Sequence, residues 1–510
     1  MNVQRFLDHW RLAEHPFVAE EARHDPVFAR LEYDAAAHPD FGKVLGDLSR
    51  PSTAIVFGEK GSGKTAIRLQ LERRLDEHNT ASPDRRIMLV AYDDLNPMLD
   101  RLAHRLGVDE RSDEKETLRA LKRIRLVDHI DGILHVAVTR VVDGLLGDAE
   151  AELGRDAAKA MRQASPELKR DLMILQTLYD RERDARRRTV RLRQTVRAPG
   201  DRTRWIWKAL AATGWVPAAA FFVWAWFIRP GENAPPMRFA EAFLIALIVL
   251  WLIPAAKFGW DALTVRRISR RIARELRSVR RTHESLSPSI ARLPRSDRAA
   301  DTLPLDGGDE IRYELLARLR RILGRLGYAG ALVVMDRVDE PTLINGDPGR
   351  MRAVIWPLLN NKLLQHEGLG FKLLLPLELR HELFRESSDF FQEARLDKQS
   401  LVERLTWTGS LLYDLCGARL RACAAPDIEQ PPTLISIFDE DVEVKDVVDA
   451  LDQMHQPRDA FKLLYQCIQE HCSNVTEDEA KWRIPRHVLD VVRRQQAERL
   501  QMFHRGVRPA

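Results

Sequence analysis

Gly58, Glu59, Lys60, Gly61, Ser62, Gly63, Lys64 and Thr65 fit the spacing G-x-x-x-x-G-K-[ST], a loop whose chemistry is the capture of phosphate. Glycines at such positions let successive backbone N–H groups turn inward around phosphate oxygens, and a helix N-terminus behind them adds partial positive charge. Lys64 is the cation suited to β- and γ-phosphates, the Thr65 hydroxyl is suited to Mg²⁺, and Ala66 follows where the helix starts. A nucleotide site of this kind needs a second metal-holding group. Ala331 to Met335 is an apolar run that ends in Asp336, and an acid at such a strand end holds Mg²⁺ opposite the loop hydroxyl. The expected cofactors are therefore ATP, with GTP left open, and Mg²⁺.

These groups require an α/β frame. Ala54 to Phe57 reads as a buried strand before the loop, and Ala66 to Leu75 as a helix after it. Ile87 to Tyr92 reads as a second strand, Phe371 to Pro376 as another beside the Asp336 run, and Ser400 to Trp407 as a fifth. Pro97 to Leu146 has helical periodicity, and Ser165-Pro166-Glu167 is a helix start leading to Tyr179. A helix over 311–326 precedes the Asp336 strand, and the chain after 408 is helical.

The two halves of the site are 271 residues apart, more than a nucleotide-binding sheet needs between them. Two apolar segments account for part of the excess: Ala209 to Ile228, without charge, and Phe239 to Trp260, charge-free from Ala242 to Ala256. About twenty helical residues span the roughly 30 Å of a bilayer's hydrocarbon. Trp205, Trp207, Trp224, Trp226, Trp251 and Trp260 lie mostly toward the segment ends, where indoles favour the interface. The connection from Arg229 to Arg238 is short and rich in proline, which predicts a hairpin. Arginines crowd both flanks, from Arg181 to Arg204 and from Arg266 to Arg281, so the positive-inside bias puts both flanks and both termini in the cytoplasm of a bacterial-type inner membrane. The formal net charge of +5 then points to anionic membrane lipids as partners, with nucleic acid the weaker alternative.

The remaining expectations concern organisation. Residues 1–50 read as a helical preamble with an exposed His15-Pro16-Phe17 turn, 51–200 as the first part of the nucleotide-binding domain with a helical insertion, and 201–262 as the transmembrane hairpin. Residues 263–310 read as a basic amphipathic helix (Leu263 to His283, with Ile268, Ile272, Leu276 and Val279 on one face) and a linker from Ser285 to Asp309. Residues 311–408 complete the nucleotide-binding domain, and 409–510 form a helical lid. The four cysteines, Cys416, Cys423, Cys467 and Cys472, form no C-x-x-C pair and read as buried reduced thiols.

With the loop at Gly58–Thr65, the hairpin, and the acidic cluster Asp336-Arg337-Val338-Asp339-Glu340, the chain resembles the KAP family of P-loop NTPases, in which transmembrane helices are inserted between the phosphate loop and the magnesium-binding strand. The resemblance implies an additional-strand, AAA- or STAND-like P-loop fold, a membrane-associated ATPase in signalling or defence, and a homo-oligomer or protein partner. It also implies an acid directly after Asp336 to polarise the attacking water. Arg337 stands there instead, which leaves Asp339 and Glu340 as substitutes. Gln456-Pro457-Arg458 is similar to the start of a second-sensor helix, whose arginine touches the γ-phosphate; Glu378 and Arg380 are candidates for a displaced sensor, and Arg395 and Arg404 for an arginine finger. A turning-over ATPase and a signalling switch with little turnover both fit, and a membrane-tethered DNA-processing ATPase is a third reading.

Overall fold

The computed structural model describes residues 1–504 apart from 19–20, 32–36, 109–111, 148–152, 154–155, 201, 229–236, 300, 427 and 477–479. The expected hairpin turn and the last six residues fall outside the described part. Two compact units are present, one of Met1–Leu95 with Ala329–Ala510 and one of Asn96–Tyr328.

The first unit is built on a five-stranded parallel sheet. Its strands are β1 (Ala54–Gly58), β2 (Arg86–Ala91), β3 (Tyr328–Met335), β4 (Leu369–Pro376) and β5 (Ser400–Val402), in the order β2-β3-β4-β1-β5. β1 and β4 are buried along their whole length, as strands covered on both faces must be, and they pair in register from Ala54 opposite Lys372 to Gly58 opposite Pro376. Because β4 lies between β1 and β3, Gly58 and Asp336 end up two strands apart on one edge of the sheet, about 10 Å at the usual strand spacing. The fifth strand is shorter than expected. Only Ser400–Val402 pairs with β1, and the alternation that continues to Trp407 belongs to an irregular segment that turns toward the loop.

Helices Gly409–Ala422, Val444–Asp452, Pro457–Asn474 and Arg486–His504 complete this unit around a core that includes Leu412, Leu420, Leu451, Leu464 and Val488. The N-terminal segment is part of that core and not a separate preamble. Phe6, Leu7, Leu12 and Phe17 are buried in it. The His15-Pro16-Phe17 turn is accordingly inside: Phe17 is 2% exposed and stacks on Phe461, and Arg419 Nε donates to the Pro16 carbonyl at 2.8 Å. A proline and an aromatic ring in an uncapped turn look like surface in sequence, but their apolar area is available to whichever helices pass near. All four cysteines are free and buried, and burial pushes the Cys416 and Cys467 thiols up to about 12.

The second unit is helical. Leu126–Leu146 forms its axis and packs against Pro166–Tyr179, Ala185–Val196 and Glu310–Arg325. Ser165 caps the second of these, accepting from Leu168 N. Two helices here, Trp205–Phe227 and Ala240–Glu275, are long and apolar enough to cross a membrane, and only 6% of each apolar window is buried. The first is broken at Gly214–Trp215. A break leaves backbone carbonyls unpaired, and two indoles take them: Trp215 Nε1 donates to Ala212 O at 2.8 Å and Trp251 Nε1 to Ala211 O at 2.9 Å. Trp251 thus caps the neighbouring helix.

Two expectations for this unit need correction. The basic amphipathic helix is not a separate element; it continues the second apolar helix without interruption and stops at Glu275, so Val279 lies beyond it. The Ser285–Asp309 linker is folded structure. Thr282 caps a helix over His283–Ile290, and Leu286, Ile290, Leu293 and Leu303 are buried, while Arg298 Nη1 holds Asp261 at 2.8 Å. Pro, Ser and Gly content suggested a linker, but apolar side chains four, then three, residues apart were enough to seat it.

Candidate functional site

The site forms where β1 delivers the Gly58–Thr65 loop into the Lys64–Ala81 helix. Gly61 and Gly63 have φ of +99° and +94°, a left-handed backbone that only glycine adopts without strain, and a Cβ on Gly61 would lie 2.8 Å from Gln456 Oε1. The Ser62 hydroxyl is turned into the loop, donating to Glu59 O at 2.9 Å. Lys64 Nζ donates to Gly58 O at 2.7 Å and to Glu59 O at 2.9 Å. Burial holds its ammonium below the usual lysine range, and the carboxylates of Asp336, Asp339 and Glu378 oppose that shift.

Across the sheet edge, Thr65 Oγ1 donates to Asp336 Oδ2 at 3.0 Å, joining the two motifs despite their separation in sequence. Asp336 is 1% exposed; its Oδ1 accepts from Arg337 N at 2.9 Å, and burial raises its carboxyl above the usual range in spite of these bonds. Arg337 itself has φ of +57° and turns back to Glu340 at 3.3 Å. Glu340 is mostly exposed and paired, whereas Asp339 is half-buried and contributes to the field at Lys64.

Loop, Asp336, Asp339, Glu340, Glu378 and Arg458 share the lining of one cavity of about 430 Å³. Phe28, Leu31 and His38 from the N-terminal segment and Leu415 and Phe461 from the helical part close its other walls. Of the site candidates read from the sequence, Gly58, Ser62 and three arginines do not line it. Arg380 is bound to Glu403 at 2.7 Å, Arg395 to Asp397 at 3.4 Å, and Arg404 to the loop residue Glu59 at 2.6 Å. Arg458 lines the cavity from the first turn of the Pro457–Asn474 helix, and its buried Nε has no partner among the described residues.

Three contacts to the loop were not foreseen. Glu59 accepts from Arg404 and from Gln456 Nε2, the residue that caps the Pro457–Asn474 helix, and Trp407 Nε1 donates to Ser62 O at 2.8 Å. They tie the loop to the chain after β5. Trp407, Arg404 and Gln456 each stood out in the sequence for another reason, but their pairing with the loop is long-range and left no local signal.

No protein-family model, curated protein or solved structure matches this chain.

Proposed function

We propose that the chain is a membrane-anchored P-loop NTPase of the KAP type that binds Mg-ATP and couples it to a conformational or assembly change. The observation that carries this reading is the Thr65 Oγ1–Asp336 Oδ2 contact at 3.0 Å beside a glycine loop with two left-handed positions. Hard oxygen donors suit Mg²⁺, and the unpartnered Arg458 Nε and the loop N–H groups suit phosphate. Thr65 and Asp336 would hold the metal, which when bound neutralises charge on the transferring phosphoryl group. Lys64 would exchange its two carbonyl partners for β- and γ-phosphate oxygens. The single strand between β1 and β3 supports the additional-strand class. Asp339 is the better-placed base, because it is half-buried beside Lys64 whereas Glu340 is exposed and paired with Arg337.

Loss of ATP binding in Lys64→Ala, with unchanged circular dichroism, tests the loop; undiminished affinity would sink the assignment. The two apolar helices and their arginine flanks support an inner-membrane hairpin with both termini cytoplasmic and the arginines nearest the apolar segments at the anionic lipid surface. A single cysteine at Asn233 should react with an impermeant reagent in intact cells and one at the exposed Glu284 should not. The reverse pattern inverts the topology.

A second reading, a nucleotide-held switch with little turnover, is favoured by one feature. Arg337 occupies the place directly after Asp336, and an arginine cannot polarise water as an acid does.

A further inference from the structure

In the helical unit, Arg105, Arg270, Arg274, Arg277 and His283 line an open groove of about 580 Å³, within the range of small-molecule sites. Among the described residues its two other lining residues are apolar, and no carboxylate lines it. These five residues come from three places: the Asn96–Leu106 helix, the last turns of the Met237–Glu275 helix with the chain just after it, and the start of the His283–Ile290 helix.

Two of the guanidinium groups are held in position. Arg105 donates from Nη2 to Ala273 O at 2.8 Å and from Nη1 to Arg274 O at 3.2 Å, and Arg277 is bound by Asp128 and by Arg123 O at 2.9 Å. Arg270 and Arg274 stand one helical turn apart, both exposed, and their side chains form no ion pair or hydrogen bond among the described residues. Like charges at that spacing repel, and among the described residues the only acid bound to any of the four arginines, Asp128, is fully buried behind Arg277. Burial and the neighbouring Arg277 both depress the Arg105 guanidinium. The groove is an excess of planar, forked donors around an open space, the arrangement that matches phosphate oxygens.

We propose that this groove binds a phosphate-bearing anion, a small molecule with two or more phosphate groups. Such a group could be free or could be a lipid headgroup. Along the helix Arg270 lies about 15 Å beyond Trp260, the last aromatic of the second apolar segment, at 1.5 Å per residue. Headgroups occupy only the first several ångströms outside the hydrocarbon. The groove therefore takes a soluble anion. That choice of source rests on the membrane reading above; the anion site does not.

Full-length protein in detergent micelles, carrying Lys64→Ala so that the Gly58–Thr65 loop does not contribute, is titrated with inorganic pyrophosphate by calorimetry at physiological salt. Binding is expected, at least tenfold weaker after Arg270→Glu with Arg274→Glu, and within twofold of unchanged after Arg266→Glu with Arg267→Glu. The second pair alters the same charge on the same helix outside the groove. Absence of binding, or equal loss in both pairs, overturns the site. In nanodiscs, pyrophosphate binding that persists with phosphatidylglycerol as with phosphatidylcholine supports a soluble ligand. Suppression by phosphatidylglycerol alone overturns that source and assigns the groove to lipid phosphate.

Discussion

Asp336 in the sheet-bearing unit and Asp131 in the helical unit are both almost wholly buried, and burial raises both carboxyls above the usual range. Their surroundings differ. Asp336 faces a cavity, and its partners Thr65 and Lys64 sit at the end of a loop where they can exchange contacts. Asp131 accepts from Tyr179 Oη at 2.7 Å and lies 3.5 Å from Arg312 Nε, with all three side chains fully enclosed by helices. Arg312 is further held by Gly308 O at 3.0 Å. A buried charge turned toward open space is set up to meet a ligand. One turned toward another buried charge fixes the packing of the helices that carry it.

That contrast predicts different consequences of losing a partner. Arg312→Met strands Asp131 in a low-dielectric interior and should destabilise the helical unit by about 3–5 kcal/mol in thermal unfolding. Adding Asp131→Leu removes the stranded charge and should recover most of the loss, because an apolar pair can replace a buried ion pair with little penalty. If the double variant is no more stable than the single one, Asp131 does more than balance Arg312. The wild-type pair also sets a pH dependence. Burial lifts the Asp131 carboxyl from 3.8 to about 6. Between those values the folded chain keeps a proton that the unfolded chain has released, so stability falls as pH rises through this window and levels off above it. Asp131→Asn should flatten that slope.

In the other unit a substitution at a cavity-facing acid should leave the fold alone and appear in kinetics. Asp339→Asn is expected to bind ATP normally and hydrolyse it at least tenfold more slowly, about 1.4 kcal/mol in the barrier. If both Asp339→Asn and Glu340→Gln turn over at the wild-type rate, neither acid is the base; if the wild type shows no turnover above background, the switch reading prevails.

The same contrast decides what could be read in the sequence. Gly58–Thr65, the strand into Asp336 and the helix start at Pro457 are local signals, each set by a few adjacent residues, and the structure places them on one cavity. The helix capped by Ser165 was legible for the same reason. Burial was not. Ser285–Asp309 has the composition of a linker yet seats Leu286, Ile290 and Leu303, and Phe17 looks exposed until its partner Phe461 arrives from the far end of the chain. The Asp131–Tyr179–Arg312 cluster left no trace, since each residue alone reads as a solvated helix position.

The smallest predicted effect tests whether the chain after β5 shapes the loop or merely touches it. Trp407 is 8% exposed, its ring lies edge-on to His38 with centroids 4.9 Å apart, and its Nε1 satisfies the Ser62 carbonyl at 2.8 Å. His38 in turn bonds Thr406 O at 2.8 Å, so the ring is held from behind. Trp407→Phe keeps an apolar aromatic at the position, removes the N–H and trims the buried ring, so Trp407→Leu serves as the control for lost volume. One hydrogen bond of this kind contributes about 0.5–1.5 kcal/mol. Because Ser62 belongs to the loop that would receive phosphate, the loss should loosen binding and leave the chemical step untouched: KM rises roughly two- to tenfold while kcat holds, the opposite split from Asp339→Asn. If KM is unchanged, the loop keeps its shape without Trp407, and the indole serves only to fill space beside His38. If kcat falls instead, Trp407 acts on the transition state, and the division between residues that shape the loop and residues that face the cavity fails at this point.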